Sequence, residues 1–234
     1  MLALTGSGEY LPAMESVDMT LIRRLKAPPR VVCLPTAAGQ EGPERIGYWS
    51  QLGVDHFARL GAKVEALPVI DRASANEKDL ADRISDANFV YLSGGKPGYL
   101  YQTLRGSLAW KAILSVLSRG GLLAGCSAGA MILGESFFGP PGQMPGFKLI
   151  PGATVLPHFD QIPESRVESF YESTGEDLTL LGIEGDTTLV QSKDRYEVMG
   201  TGGVTVWNGS GRARFTRGMI PVDVLGPSET GSSF

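Results

Sequence analysis

The chain has 234 residues, 42% hydrophobic and 20% charged, which is ample apolar material for one folded domain and excludes a disordered composition. With 21 basic and 25 acidic side chains the formal charge is −4, so no whole-molecule field exists to gather nucleic acid or anionic lipid. The two cysteines, Cys33 and Cys126, sit in or beside apolar runs, which favours reduced, buried thiols and excludes a disulfide framework.

From the N-terminus, residues 2–5 read as a buried strand that runs into Thr5-Gly6-Ser7-Gly8 without a basic leader or an apolar stretch of signal-peptide length, and a cytoplasmic location is expected. Met14, Val17, Leu21 and Leu25 then form a helical stripe. The cations Arg23, Arg24, Lys26 and Arg30 fit the solvated end of that helix. Strands are expected at 30–34, 62–69, 89–92 and 122–125, most of them apolar on both faces. Between them Ile46, Trp49, Phe57 and Leu60 make a second helical stripe, opened by Gly42-Pro43, and Trp110, Ile113, Leu114 and Leu117 a third. Doubly buried strands linked by helices predict an α/β fold: a three-layer, mostly parallel sheet with helices on both faces, binding ligands at the carboxyl ends of its strands. The longest uncharged run, 120–134, is too short and too broken by glycine to span a membrane. After about residue 185, short alternating strands at 188–192, 196–199 and 204–207 predict an antiparallel extension. Pro227, Ser228, Gly231, Ser232 and Ser233 predict a frayed tail from about residue 225, and a single domain over 1–234 is expected.

The most informative stretch is Leu122-Leu123-Ala124-Gly125-Cys126-Ser127-Ala128-Gly129-Ala130-Met131, an apolar strand followed by Gly-x-Ser-x-Gly and a helix-forming run. This is a nucleophile-elbow pattern. Glycines two before and two after the serine allow a sharp turn that holds its hydroxyl at the sheet edge, with the Ala128 N–H facing an oxyanion. A plain small-residue turn also writes such a pentapeptide, but it requires neither the strand before it nor the helix after it. Cys126 is a rival nucleophile, for an amidotransferase-type activity. Its flanks at the same spacing are Ala124 and Ala128, which lack the permissive glycine backbone, and a packing thiol is the simpler reading.

A serine needs a base, and the chain contains only His56 and His158. His56 lies on the Trp49 to Leu60 stripe and reads as a packed imidazole. His158 follows Ala153-Thr154-Val155-Leu156-Pro157 and falls just past a strand's end, where the base of Ser127 is expected. For the acid that fixes the ring, Glu184 in Gly182-Ile183-Glu184-Gly185 is the first choice, with Asp160 and Glu135 as alternatives. A second oxyanion donor is expected from Gly95 in Leu92-Ser93-Gly94-Gly95-Lys96-Pro97, because bare glycine backbone presents its N–H unobstructed. Walker and dinucleotide spacings are absent. No cluster of His, Cys and carboxylates has ligand spacing, so no metal or cofactor is implied.

These residues together resemble the serine peptidase family that contains aspartyl dipeptidase (peptidase E) and cyanophycinase. Gly125-Cys126-Ser127-Ala128-Gly129-Ala130 is similar to the family's nucleophile motif, Gly94-Gly95 to its oxyanion loop, Pro157-His158-Phe159 to its base motif and Gly182-Ile183-Glu184-Gly185 to the region of its acid. The resemblance runs from residue 1 to about 210 and implies the class I glutamine amidotransferase-like, flavodoxin-like fold. It further implies a Ser127–His158–Glu184 triad and hydrolysis of an aspartyl or β-aspartyl small peptide or isopeptide through an acyl-enzyme, and it makes a homodimer plausible. Lys96 and Pro97 stand where the family carries Asn-Thr or Asp-Gln. A cation at Lys96, and Arg166 by analogy with family arginines, would then pair with a substrate carboxylate. The competing expectation is a non-hydrolytic, amidotransferase-like ligand-binding or sensing protein on the same fold.

Overall fold

The structure, a computed structural model, describes residues 1–139, 142–174, 178–193, 195–221 and 224–225; the tail expected from about residue 225 lies, from 226 onward, outside them. The first half alternates strands β1 (Leu2–Thr5), β2 (Arg30–Leu34), β3 (Lys63–Ala66), β4 (Phe89–Leu92) and β5 (Leu122–Cys126) with helices α1 (Glu15–Arg23), α2 (Pro43–Arg59), α3 (Lys78–Asp86), α4 (Pro97–Leu104) and α5 (Leu108–Ser118). A short helix, α6 (Ala128–Met131), leads into β6 (Gly134–Gly139), β7 (Gly142–Pro145) and β8 (Ile150–Pro157). Helix α7 (Glu164–Thr174) follows, then β9 (Thr179–Ile183), β10 (Thr187–Ser192), β11 (Arg195–Gly200), β12 (Val204–Asn208), β13 (Gly211–Phe215) and β14 (Gly218–Ile220).

Five strands pair in parallel in the order β1-β5-β4-β2-β3, and β10, β11 and β14 extend this sheet antiparallel from the β1 side. Strand pleating sends alternate side chains to opposite faces. Val31 and Cys33 therefore join the core under α1 and α2, with Val17, Leu21 and Phe57, while Val32 and Leu34 join the opposite core with Ile84 of α3 and Ile113 of α5. Both faces are apolar because both are covered, which is why these strands lack an alternating polar pattern.

Two of the strands expected from the sequence differ in the structure. The strand expected over 62–69 is confined to Lys63–Ala66: Leu67 N–H still reaches Cys33 O, but Val69 N–H turns back on Leu67 O at 2.8 Å instead of reaching β2. The strand expected over 204–207 does not join the extension. It enters a second, six-stranded sheet of order β13-β12-β9-β8-β6-β7. One face of that sheet (Ala153, Val155, Leu181, Ile183, Val204, Val206) seals the main core, and its outer face packs Leu180 and Trp207 with Val167 and Phe170 of α7.

Candidate active site

Ser127 sits where β5, held between β1 and β4, gives way to α6. Its backbone is at φ +50°, ψ −111°, a region that costs an L residue on the order of 1–3 kcal/mol. Ser127 N–H donates to Thr5 O at 3.0 Å, and its carbonyl accepts from Ala130 and Met131. A Cβ on Gly125 would stand 2.3 Å from Gly129 O, and one on Gly129 would stand 2.4 Å from Leu92 O. The turn closes only with glycine at both positions. The Ala128 N–H, at the first helical position, has no carbonyl one turn back to receive it.

His158 reaches Ser127 from the other sheet. It follows Pro157 at the end of β8, in the left-handed region at φ +53°, ψ +33°, and its carbonyl accepts from Gln161 N–H at 2.9 Å. The next side chain, Phe159, lies over Gly182, where a Cβ would fall 2.4 Å from the ring. That packing fixes the loop, and His158 Nε2 stands 3.1 Å from Ser127 Oγ with both side chains half-buried. A hydroxyl and an imidazole at this separation are within proton-transfer reach.

The three candidate acids have different partners. Glu184 follows Ile183, the residue paired with Pro157 across the β8–β9 ladder, so it leaves its strand beside His158. Its carboxylate, however, takes Arg214 Nε at 2.6 Å and Arg214 Nη2 at 2.7 Å, and accepts Gly203 N–H at 2.9 Å. The Arg214 hydrogen bonds hold its carboxyl below the usual carboxylate range, against burial, which acts the other way. Asp160 accepts Gly185 N–H at 2.7 Å, and Glu135 pairs with Lys148. Among the described residues no carboxylate is hydrogen-bonded to His158 Nδ1.

On the other side of Ser127, the Gly94-Gly95 turn packs against it: a Cβ on Gly94 would lie 3.4 Å from Ser127 Cβ. Gly95, at φ +142°, passes so close to Ala37 that a Cβ would lie 2.6 Å from Ala37 O, and Lys96 N–H anchors the turn on the same carbonyl at 3.0 Å. Gly95 N–H has no acceptor among the described residues, which leaves it free for a ligand. Lys96 is exposed, with Nζ 3.4 Å from Gln40 Oε1, and Arg166 is exposed on α7.

Cys126 is not placed to attack anything. It is fully buried, and its S–H donates to Glu9 Oε2 at 2.9 Å; burial first, and the Glu9 charge second, push its thiol well above the ordinary range. His56 is also fully buried, with Nε2 2.7 Å from Asp18 Oδ2, joining α2 to α1. Two residues beside the site were given no role from the sequence. Arg214 sits in an exposed hairpin strand with no motif around it. Glu9 had a detectable signal: a carboxylate just past Gly6-Ser7-Gly8, at the end of a strand that a parallel sheet places beside the strand that leads to Ser127. An apolar cavity of about 650 Å³, lined by Met1, Leu114, Leu117 and Leu149 among others, lies at the opposite end of β1 and is not this site.

Comparison with known proteins draws these observations together. The profile of peptidase family S51 matches residues 1–199. Cyanophycinase of Synechococcus elongatus is 27% identical over 189 residues, covering 74% of this chain and 56% of that protein. An uncharacterized peptidase of Listeria monocytogenes is 31% identical over 102 residues, covering 44% of this chain and 47% of that one. The matches thus span about half the length of these curated relatives. Among solved structures, a peptidase from an acI-B1 Actinobacterium superposes with a TM-score of 0.84 at 35% identity over 94% of this chain and 95% of the other. A putative peptidase E protein from Listeria monocytogenes shares the fold, with a TM-score of 0.59 at 19% identity over 92% and 97% of the two chains.

Proposed function

Because the chain belongs to peptidase family S51, we propose that it is a serine-type peptidase that cleaves a small peptide or isopeptide bond at an aspartyl or β-aspartyl residue. The observation that carries this reading is the 3.1 Å approach of His158 Nε2 to Ser127 Oγ at a strained strand-to-helix turn. A serine held at φ +50° by glycines on both sides has no packing purpose that a glycine there would not serve at lower cost.

In this mechanism Ser127 Oγ attacks the scissile carbonyl as His158 Nε2 accepts its proton. The free N–H groups of Gly95 and Ala128 receive the developing oxyanion, each contributing on the order of 10²–10³ in rate. Collapse of the tetrahedral adduct expels the amine, which takes the proton back from His158, and water then attacks the acyl-enzyme by the same route. Glu184 is assigned to orient the ring: it leaves its strand beside His158, and it reaches Nδ1 by exchanging its hold on Arg214. Lys96, next to Gly95, and Arg166 are assigned to a substrate carboxylate, which matches the acidic substrate class. The membership of the family also supports a peptide substrate.

An active-site-directed fluorophosphonate tests the reading. The expected result is a single adduct on Ser127 located by mass spectrometry, together with cleavage within a panel of aspartyl and β-aspartyl dipeptides. Folded protein that stays unmodified at Ser127 overturns it and favours the non-hydrolytic alternative.

A further inference from the structure

We propose that Glu9 is a positioning residue of this site: its buried carboxylate ties the loop that carries Gly95 to the strand end that carries Ser127, and so sets the spacing of the two oxyanion donors. The proposal rests on the serine-peptidase reading of Ser127 and His158.

Glu9 lies just beyond β1, which runs parallel to β5 with Thr5 opposite Cys126. Its side chain is therefore delivered to the underside of the nucleophile turn, where the residue is only 8% exposed. The two carboxylate oxygens divide between two segments. Oε1 accepts Gly94 N–H at 2.9 Å, and Oε2 accepts the Cys126 thiol at 2.9 Å. Gly94 precedes one oxyanion donor, and Cys126 precedes the serine whose successor is the other. One rigid, planar group thus spans the two halves of the oxyanion site.

The use of a charge here is informative. A buried carboxylate is costly unless its oxygens are hydrogen-bonded, and both are. Packing alone would be served as well or better by an apolar side chain of similar volume. A carboxylate instead supplies short, directional, charge-assisted acceptors, roughly twice as strong as neutral ones, to two donors at a fixed separation. Gly94 N–H is pulled toward Glu9, which orients the turn and leaves Gly95 N–H as its unpaired donor. The turn also rests directly on Ser127, so a displacement of Gly94 moves both the oxyanion donor and the floor under the nucleophile.

The test uses the full chain and needs no knowledge of the substrate. Glu9→Gln keeps the shape and one carbonyl acceptor but removes the charge and turns an NH₂ toward one of its two donors. Its rate of Ser127 phosphonylation is expected to fall on the order of 10²-fold, the scale of a misplaced catalytic group. In [¹⁵N]glycine-labelled native protein, the Gly94 amide proton is expected to resonate far downfield and to resist solvent exchange although it lies in a loop. It should move upfield in Glu9→Gln. A Glu9→Gln protein that folds and is phosphonylated at the native rate overturns the proposal, as does a native Gly94 amide that exchanges at open-loop rates. Should Glu9→Gln not fold, the native amide decides, with a shift of its resonance on phosphonylation expected and an unmoved one contradicting the coupling. Native protein that is never phosphonylated overturns the serine-peptidase reading and this proposal with it, whereas equal rates in native and variant protein remove only the role of Glu9.

Discussion

Replacing each of the two histidines separately separates catalysis from stability. His56 is fully buried, its ring edge-on to Phe57 at 4.9 Å between centroids; among the described residues its ring's one polar contact is the 2.7 Å bond to Asp18, which is 2% exposed, and its Nδ1 has no partner. His56→Ala leaves the Asp18 carboxylate in the core without its partner, a change that costs about 3–5 kcal/mol. Against a total stability of about 5–15 kcal/mol, that is a large fraction. Burial already raises the Asp18 pKa, and the His56 hydrogen bond opposes that rise; without it the carboxyl climbs further. A group whose folded pKa is raised keeps its stability below the unfolded value and loses it as pH rises through the folded one. The deficit of His56→Ala should accordingly be smallest in acid and grow toward neutrality, read by urea unfolding at both ends of that range. Its rate of Ser127 phosphonylation per folded molecule should stay close to native. His158→Asn does the reverse. Asn tolerates the left-handed backbone at this position, so stability should change by less than about 1 kcal/mol. Loss of the base should slow phosphonylation about 10²–10⁴-fold. Equal losses of reactivity in the two variants, or a His56→Ala deficit that is largest in acid, would refute this reasoning.

Thiol reagents should leave both the native protein and its reactivity untouched at neutral pH, since burial pushes Cys33 up to about 12 and Cys126 well above the ordinary range; stoichiometric loss of a thiol with loss of activity would revive Cys126 as nucleophile. Glu184→Gln should depress turnover more than Asp160→Asn, which keeps a carbonyl oxygen to accept Gly185 N–H and loses only the charge; the opposite ranking would move the ring-orienting role to Asp160. Arg214→Gln should cost less than about 1 kcal/mol because the arginine is half exposed. Glu184 has a depressed pKa, so the contribution of this pair is present above the unfolded carboxylate value and disappears as pH falls through the folded one; denaturant midpoints of native and Arg214→Gln protein should converge in acid.

The main sheet was legible because its signals are local. Strands such as Arg30–Leu34 and Phe89–Leu92 are apolar on both faces, and the helices between them carry 3.6-residue stripes. The second sheet was not legible. No local pattern distinguishes its pairings, β6 with β8 and β9 with β12, and the partners are chosen by which apolar face fits the main core. The strand 204–207 reads the same in either sheet, and only packing assigns it. The strand end at Pro157 was foreseen, but not that it belongs to a different sheet from the strand that ends before Ser127.

From the sequence alone came the strand-to-helix turn at Ser127, since Gly125, Ser127 and Gly129 encode a backbone that few other residues adopt, and the expectation that His158 rather than His56 lies near it, since there were no other histidines. Which carboxylate each cation holds, and where Glu9 sends its two oxygens, was decided only when the chain closed. Acidic side chains are numerous and flexible, and a hydrogen bond of 2.9 Å between residues 9 and 94 depends on the spacing of strands that neither segment specifies.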